Sequence, residues 1–203
     1  SDMLDQNNSI VTTEVGQHQM WAAQHIARDI PRTFLSSGGL GTMGFGFPAA
    51  IGAKVACPEK EVVCIAGDGS YQMNIQEMTT ASYYGINVKV LIMNNSVLGM
   101  VHQWQNLFYD ERYSETILPD LPDFVKVAEA YNWQAERVEK PEDLEGALKR
   151  LIEADRPALL DMRIDSDENV FPMVPAGAPL TEMFGYIKVG PNGELIDERK
   201  EEK

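Results

Sequence analysis

Two short apolar segments, each followed at once by polar residues, constrain the fold of this chain most strongly. Residues 62–66 lead into a Gly-Asp-Gly turn at 67–69, and residues 88–93 lead into a pair of asparagines at 94–95. The stretch 74–84 between them predicts a helix closed by a glycine, so the three pieces make one strand-helix-strand crossover. Such crossovers build parallel sheets, and we therefore expect both polar ends at the same carboxyl edge of a sheet.

The side chains of Asp68 and Asn95 indicate a site for a small divalent cation. A carboxylate and an amide carbonyl supply the hard oxygen ligands that Mg²⁺ prefers. The glycines on either side of Asp68 allow a phosphate group to approach closely. A tight turn and a polar strand end would contain the same residue types without any ligand. The asparagine pair one crossover downstream favours the metal-phosphate interpretation.

The net charge of the chain makes that cation necessary and argues against nucleic acid as a partner. The formal net charge is -14, whereas nucleic-acid-binding domains carry basic patches. Two like charges 4 Å apart repel by about 4 kcal/mol at an effective dielectric constant near 20. A bare diphosphate facing Asp68 would therefore bind poorly without a cation between them.

Length and composition predict one globular domain. A chain of 203 residues with 44% hydrophobic content can bury a core, and we expect the domain to span 4–190, with a charged, disordered tail at 191–203. We find neither an apolar run of membrane-spanning length nor a signal sequence. Cys57 and Cys64 fit neither a zinc pattern nor a disulfide framework, so we expect a cytoplasmic protein.

A second anion-binding element is predicted near the start of the chain. Residues 9–14 favour a strand and residues 17–28 a helix, and Val15 and Gly16 join them. The free amides and the positive dipole end of that helix would face the same sheet edge. Taken alone, such a junction is more often an ordinary connection with a solvated His18. The junction lies one strand-helix unit before the metal motif, and this position favours a binding role.

The glycine-rich segment 36–46 predicts a ligand-binding loop. Five of its eleven residues are glycine, which permits positive φ and close approach by a flat ligand. Leu40 and Met43 are the apolar residues available to contact that ligand. A flexible linker is the alternative, but apolar residues interleaved with glycine are unlike a Gly/Ser linker, and a helix is predicted at once over 47–56.

The rest of the chain continues to alternate between helices and strands. Val97, Val101 and Trp104 fall at helical spacing, which alone indicates an amphipathic helix with its apolar face on the core. The later pattern predicts a loop at 109–122, helices at 123–131 and 141–154, strands at 133–138 and 157–164, and a proline-rich flap at 170–180. Such alternation is typical of an α/β domain with a mainly parallel sheet flanked by helices.

Taken in order, these motifs resemble those of acetohydroxyacid synthase, also called acetolactate synthase. The segments that carry the resemblance are Val15–Ala22, Gly38–Gly46, Gly67–Asn95, Gly99–Gln105 and Val170–Pro175. The metal motif is shared by the wider thiamine-diphosphate superfamily, whereas Gln-His-Gln-Met-Trp at 17–21 and Gln-Trp-Gln at 103–105 point to this family. The resemblance runs from about Ile10 to Phe184 and implies the carboxyl-terminal, diphosphate-binding third of a catalytic subunit.

The resemblance implies a set of cofactor-binding residues. Asp68 and Asn95 would be ligands of Mg²⁺, and the carbonyl of Val97 would be a third. The residues around the diphosphate of thiamine diphosphate would be Gly16, Gln17, His18, Gly69 and Ser70. The chain departs from many relatives at 96–98, where Ser-Val-Leu replaces a version containing Glu and Gln, but a ligand that acts through its carbonyl tolerates that change.

The remaining implied residues concern the aminopyrimidine ring and the substrates. Gly41 would accept a hydrogen bond from the ring through its carbonyl, and Met43 would force the cofactor into its V shape. Met100 and Trp104 would line the substrate pocket, where Trp104 would favour 2-ketobutyrate over pyruvate as second substrate. The implied reaction condenses pyruvate with either 2-keto acid, with loss of CO₂, in the biosynthesis of valine, leucine and isoleucine.

The resemblance also implies partners. The glutamate that activates the cofactor would lie on the amino-terminal pyrimidine-binding domain of a neighbouring subunit, so no catalytic residue of this chain is expected to act alone. A homodimer or larger assembly and a regulatory subunit are implied, and FAD is implied in the full-length enzyme but not on this chain. Glyoxylate carboligase, pyruvate oxidase and a non-catalytic thiamine-diphosphate-binding module remain alternatives.

Overall fold

The computed structural model describes residues 1–183, 185, 187–189 and 195–197, and the chain divides into two compact units, residues 1–167 and 168–203. The first unit contains one six-stranded sheet in which every pairing is parallel. Its strands are β1 (Ser9–Thr13), β2 (Phe34–Ser36), β3 (Glu61–Gly67), β4 (Lys89–Asn94), β5 (Gln134–Val138) and β6 (Ala158–Arg163). The predicted α/β class with a parallel sheet is therefore confirmed.

Helices follow most of these strands. They are α1 (Gln17–His25), α2 (Gly46–Ala56), α3 (Asp68–Tyr71), α4 (Met78–Tyr84), α5 (Gly99–Phe108), α6 (Phe124–Ala130) and α7 (Pro141–Glu153). Their ends agree with the predicted elements to within four residues; the largest differences are at α4, which begins four residues after 74, and at α1, which stops three residues before Arg28. Asp123, predicted as the first residue of its helix, instead caps α6 by accepting from the N–H groups of Val125 and Lys126.

The helices cover both faces of the sheet, because the buried strands carry apolar residues on each side. On β3, Cys64 and Ala66 pack with Phe47 of α2 in one core cluster, whereas Ile65 packs with Ala22 of α1 in another. This alternation is the period-two pattern of a strand that is buried on both faces.

The strand order is β2-β1-β3-β4-β6-β5, and it reverses direction between β1 and β3. The chain leaves β1 toward β2 on one side and leaves β3 toward β4 on the other. Connections that diverge in this way open a crevice at the carboxyl ends of the two strands, where open α/β sheets bind ligands. The crevice is bordered by Gly16 after β1 and by Asp68 after β3.

The crossover between β3 and β4 differs from the prediction of one continuous helix over 74–84. Residues 67–69 do not form a free turn, because Asp68 begins α3, and a 3₁₀ helix over Gln72–Glu77 separates α3 from α4. Asn74 has non-helical dihedral angles, φ -136° and ψ 30°, and its Nδ2 donates to the Gly44 carbonyl at 2.6 Å. That bond to a distant loop accounts for the break in the helix.

The second unit contains an antiparallel pair of strands, β7 (Ile187–Val189) and β8 (Leu195–Asp197). The strand β8 lies inside the range 191–203 for which the sequence predicts a disordered tail, and the other residues of that range lie outside the described residues. The domain limits 4–190 stay a prediction. Among the helices that the structure describes, none combines the length and apolar character needed to cross a bilayer.

Candidate functional site

The junction between β1 and α1 places polar groups at the crevice. Gly16, with φ 151°, is the N-cap of α1, and Gln17 and His18 in the first turn are both buried. Burial lowers the pKa of His18 to about 3, so its ring is neutral at pH 7. Its Nε2 is buried with no hydrogen-bond partner among the described residues. His18 is therefore not the solvated side chain of an ordinary connection, and its unpaired nitrogen suits a polar ligand.

The junction after β3 holds the carboxylate of the site. Asp68 is 2% exposed; its Oδ1 accepts from the N–H of Gly69 at 2.7 Å and its Oδ2 from the N–H of Ser96 at 2.6 Å. Burial raises the pKa of Asp68 to about 6, and those two N–H donors oppose the rise. An acid that is this costly to ionise gains from a nearby cation.

The glycine before Asp68 is required by close packing. A β-carbon at Gly67 would lie 2.8 Å from Nδ1 of His18, so a side chain there would push into the imidazole. Ser70 is tied to the same residue, because its hydroxyl bonds both the N–H and the carbonyl of Gly67 at 3.2 Å. The turns after β1 and β3 thus pack directly against each other.

The junction after β4 brings amide and carbonyl oxygens to the same crevice. Asn95 is 9% exposed, and its Oδ1 accepts from the N–H of Val97 at 3.3 Å. Ser96 has φ 60°, and its N–H bond to Asp68 links this turn to α3. The two predicted cation ligands, separated by one crossover in sequence, are therefore joined through a single intervening residue.

The glycine-rich loop is held by Glu14, a residue that the sequence reasoning did not single out. Glu14 Oε2 accepts from the N–H of Gly44 at 2.6 Å and Oε1 from the N–H of Phe47 at 2.9 Å. Burial raises the pKa of Glu14, and these backbone donors oppose the rise. Since Asn74 bonds the Gly44 carbonyl, Gly44 is fixed at both its N–H and its carbonyl, which positions the adjacent Met43.

These junctions enclose a cavity of about 230 Å³. All but one of the site residues implied by the resemblance line it, and these are Gly16, Gln17, His18, Gly41, Met43, Asp68, Gly69, Ser70, Asn95, Val97 and Met100. Trp21, Leu98 and Gly99, which were not predicted, also line it. Trp21 and Gly99 lie in two of the segments that carry the family resemblance, but no role was assigned to either, and no motif singled out Leu98.

Trp104 is the one residue implied by the resemblance that does not line the cavity. It is 46% exposed, and its ring packs edge-on against Phe108 with centroids 6.0 Å apart. Leu40, predicted to contact a flat ligand, also lies outside the lining and is 93% exposed. Trp104 is therefore not a buried core residue of its helix, and its surroundings are those of a surface that another molecule can reach.

The donor set of the cavity fits a hard cation and an anion. Among the described residues no three His, Cys, Asp or Glu side chains lie close enough to hold a metal by themselves. Asp68, together with the neutral oxygens of Asn95 and Val97, instead offers a partial ligand set, which suits a cation that also binds phosphate oxygens and water. The α1 N-terminus lies on the same cavity and suits the anion.

Comparison with known proteins agrees with this geometry. The family described as thiamine pyrophosphate enzyme, C-terminal TPP binding domain, matches residues 14–162; TPP is thiamine diphosphate. The chain is 49% identical over 195 residues, 96% of its length, to the probable acetolactate synthase large subunit of Methanococcus aeolicus. It is 52% identical over 175 residues, 86% of its length, to the acetolactate synthase isozyme 2 large subunit of Escherichia coli.

The chain spans 32% of the length of each of these two relatives. It is also 53% identical over 184 residues, 91% of its length, to the probable acetolactate synthase large subunit of Methanocaldococcus jannaschii, of which it covers 31%. The resemblance to acetolactate synthase is thus confirmed. Because the family match covers most of the chain and the whole candidate cavity except Ile164, this chain belongs to the family of C-terminal TPP-binding domains of thiamine pyrophosphate enzymes.

Proposed function

We propose that this chain is the diphosphate- and Mg²⁺-binding part of an acetolactate synthase, which condenses pyruvate with a second 2-keto acid and releases CO₂. The observation that carries the proposal is the single cavity at which the ends of β1, β3 and β4 meet, with Asp68, Asn95 and His18 on its wall. The relatives named acetolactate synthase large subunit support the choice of reaction.

Each junction would have a distinct task in holding the cofactor. Asp68, Asn95 and the Val97 carbonyl would bind Mg²⁺, which in turn would bind the diphosphate. The N–H groups at the start of α1, the neutral ring of His18 and the segment from Gly69 to Ser70 would contact phosphate oxygens. The neutral ring of His18 adds no charge to the site; because the Glu14 carbonyl already accepts from the ring, Nε2 would contact a phosphate oxygen through a bridging water or after the ring proton moves to Nε2.

The glycine-rich loop would hold the aminopyrimidine half. The Gly41 carbonyl would accept from the ring amino group, and Met43, fixed through Gly44 and Glu14, would support the bent shape. Bound thiamine diphosphate supplies a nucleophilic carbon that attacks the carbonyl of a 2-keto acid. The role of this chain is to orient that group and to exclude water from one side of it.

The size of the cavity supports a partner in the complete site. At about 230 Å³ it is smaller than the roughly 300–1,000 Å³ of ordinary ligand pockets. Leu40 and Phe45, on the glycine-rich loop, are 93% and 38% exposed. A pyrimidine-binding domain of a neighbouring subunit would complete the pocket and cover this apolar surface, as in a homodimer or larger assembly. A regulatory subunit would be a further partner, and FAD would bind outside these 203 residues.

Cofactor binding by the chain itself tests the proposal. Calorimetric titration should detect binding of thiamine diphosphate in MgCl₂ and no binding in EDTA, because the cation separates the diphosphate from Asp68. ADP is the control, since it carries a diphosphate but not the aminopyrimidine and thiazolium rings, and it should bind much more weakly. Equal and tight binding of thiamine diphosphate in EDTA would contradict the metal-bridged site.

A second prediction concerns Trp104 in the longer enzyme. Trp104 follows Met100 of the cavity wall by four residues on α5, so the two side chains lie on one helix face. If Trp104 contacts the second substrate, Trp104→Leu should lower the preference for 2-ketobutyrate over pyruvate by about 10-fold or more, the usual range for one methylene in an apolar pocket. The measurement is the product ratio with both 2-keto acids present.

Phe108→Leu is the matched control for Trp104→Leu. Phe108 is also 46% exposed and lies on the same helix, but it is a further turn away from Met100. Because the Phe108 ring packs against Trp104 but lies farther from the cavity, its replacement should change the product ratio much less than Trp104→Leu does. If Trp104→Leu instead lowered both products equally and also lowered the melting temperature, Trp104 would have a structural role only.

A further inference from the structure

Three buried side-chain amides form a hydrogen-bonded chain beside the cavity. Gln17 Nε2 donates to Gln103 Oε1 at 3.0 Å, and Asn95 Nδ2 donates to Gln17 Oε1 at 3.1 Å. Gln103 is 0% exposed and Gln17 is 4% exposed. The three residues, here called the amide chain, come from α5, the start of α1 and the end of β4, so the bonds join three elements that border the cavity.

The backbone at Val97 fixes the direction of the hydrogen bonds in the amide chain. The N–H of Val97 points at Asn95 Oδ1 at 3.3 Å. If the Asn95 amide were turned over, its NH₂ group would face that N–H, donor against donor. The nitrogen of Asn95 therefore points to Gln17, and its oxygen stays on the Val97 side. An amide oxygen has two lone pairs, so one is left for a cation.

We propose that Gln103 is a positioning residue for the cation site. By accepting from Gln17 it holds the Gln17 oxygen toward Asn95, and Gln17 in turn holds the Asn95 oxygen in the orientation that a cation needs. The inference rests on the proposed binding of Mg²⁺ and thiamine diphosphate. Gln103 itself does not line the cavity, so its effect is exerted through the other two amides.

Gly99 supports the same conclusion from steric grounds. A β-carbon at this position would overlap Oε1 of Gln17 and would lie 3.0 Å from Nδ2 of Asn95. Gly99 is the first residue of α5 and has no positive φ, so its backbone conformation does not require glycine. The need for glycine here comes from the space that the Gln17 amide occupies.

The test is the Mg²⁺ concentration that gives half-maximal binding of thiamine diphosphate, measured by calorimetry at stepped MgCl₂ concentrations. Gln103→Met keeps the shape of the side chain but removes the acceptor. We expect it to raise the half-saturating Mg²⁺ concentration about 10- to 100-fold, the usual effect of losing an outer-shell partner of a metal ligand.

Gln105→Met is the matched control, because it is the same substitution on the same helix. The Gln105 amide bonds Ser114 and Thr116 rather than the amide chain. Its half-saturating Mg²⁺ concentration should equal that of wild type. Gly99→Ala is a second route to the same effect: its β-carbon displaces the Gln17 amide, so the half-saturating Mg²⁺ concentration should again rise.

A double-mutant cycle separates positioning from general loosening of the structure. If Gln103 acts through Asn95, then Gln103→Met should have no further effect on Mg²⁺ dependence in an Asn95→Ala background. An equal effect in both backgrounds, or no effect in either, would overturn the inference while leaving the proposed function intact. If the wild-type chain bound no thiamine diphosphate at any Mg²⁺ concentration, both the inference and the proposed function would be wrong.

Discussion

Asp68→Asn is expected to abolish Mg²⁺-dependent binding of thiamine diphosphate and, in the absence of cations, to remove a loss of stability that wild type undergoes between pH 4 and pH 7. Binding should weaken by more than about 100-fold, because even outer-shell partners of a metal change its affinity by 10- to 100-fold. Asp68 is the single carboxylate among the described residues that line the cavity. No other side chain there can supply the negative charge that the cation requires.

The stability of the variant follows from the pKa of the same carboxyl. Burial raises the pKa of Asp68 from 3.8 to about 6, so the folded chain favours the neutral acid. The resulting stabilisation is fully present below pH 3.8 and is lost as the pH rises through about 6. At pH 7 the ionised group therefore costs up to about 3 kcal/mol, which a neutral asparagine avoids. The NH₂ group of the asparagine then faces one of the two N–H donors, of Gly69 or Ser96, at a cost of about 1–3 kcal/mol, so the two effects roughly offset each other at pH 7.

Chemical denaturation in EDTA at pH 4 and pH 7 measures this effect. Wild type should lose stability relative to Asp68→Asn between the two pH values, because only wild type has the buried carboxyl that ionises over this range. Ser70→Ala is the control, since it changes a neighbouring polar residue of the same turn without changing a charge. If the variant were less stable than wild type at pH 7 by several kcal/mol, ionised Asp68 would not destabilise the chain in the absence of its cation, and the prediction would be wrong.

The parallel α/β fold could be predicted because its signals are local. The apolar runs 62–66 and 88–93, each ending in polar or glycine residues, mark buried strands wherever they occur. The strand order has no such local signal. The strand next to β4 is β6 rather than β5, and packing between elements far apart in sequence decides this order. Leu159 of β6, for example, lies in the same core cluster as Val90 of β4.

The break in the crossover helix is another feature that has no local sequence signal, and it depends on a single residue. Asn74 is an ordinary polar residue in a helical stretch, and nothing near it in sequence predicts its non-helical conformation. Its partner is the Gly44 carbonyl, 30 residues away. A long-range hydrogen bond outweighs the local helical preference, which is weak at a single position.

The candidate site likewise contains some residues that local sequence predicts and others that it does not. Asp68 was predictable because flanking glycines and a strand end are local signals, whereas Glu14 and Gln103 act through partners that only the fold brings near. Glu14 contacts a loop 30 residues later, and Gln103 contacts Gln17 across 86 residues. Trp104 was assigned by resemblance alone, and the described cavity does not include it.

The 203-residue chain alone is expected to form no acetolactate at a useful rate, even with cofactor bound. The resemblance places the activating glutamate on another domain, and the carboxylates of this chain near the site have other roles. Glu14 accepts from Gly44 and Phe47, and Glu77 accepts from the Thr80 hydroxyl at 2.7 Å. Loss of a general acid-base partner typically slows a reaction by 10²- to 10⁴-fold.

The open cavity adds to this loss, because an incomplete pocket admits water and weakens the electrostatic help that an enclosed site provides. The assay uses the purified chain with pyruvate, Mg²⁺ and saturating thiamine diphosphate, with cofactor binding verified in the same sample. The longer enzyme at equal site concentration is the positive control, and its Asp68→Asn variant is the negative one. If the chain made acetolactate at a rate near that of the longer enzyme, it would have to contain its own activating acid, and the assignment of that acid to a partner domain would be wrong.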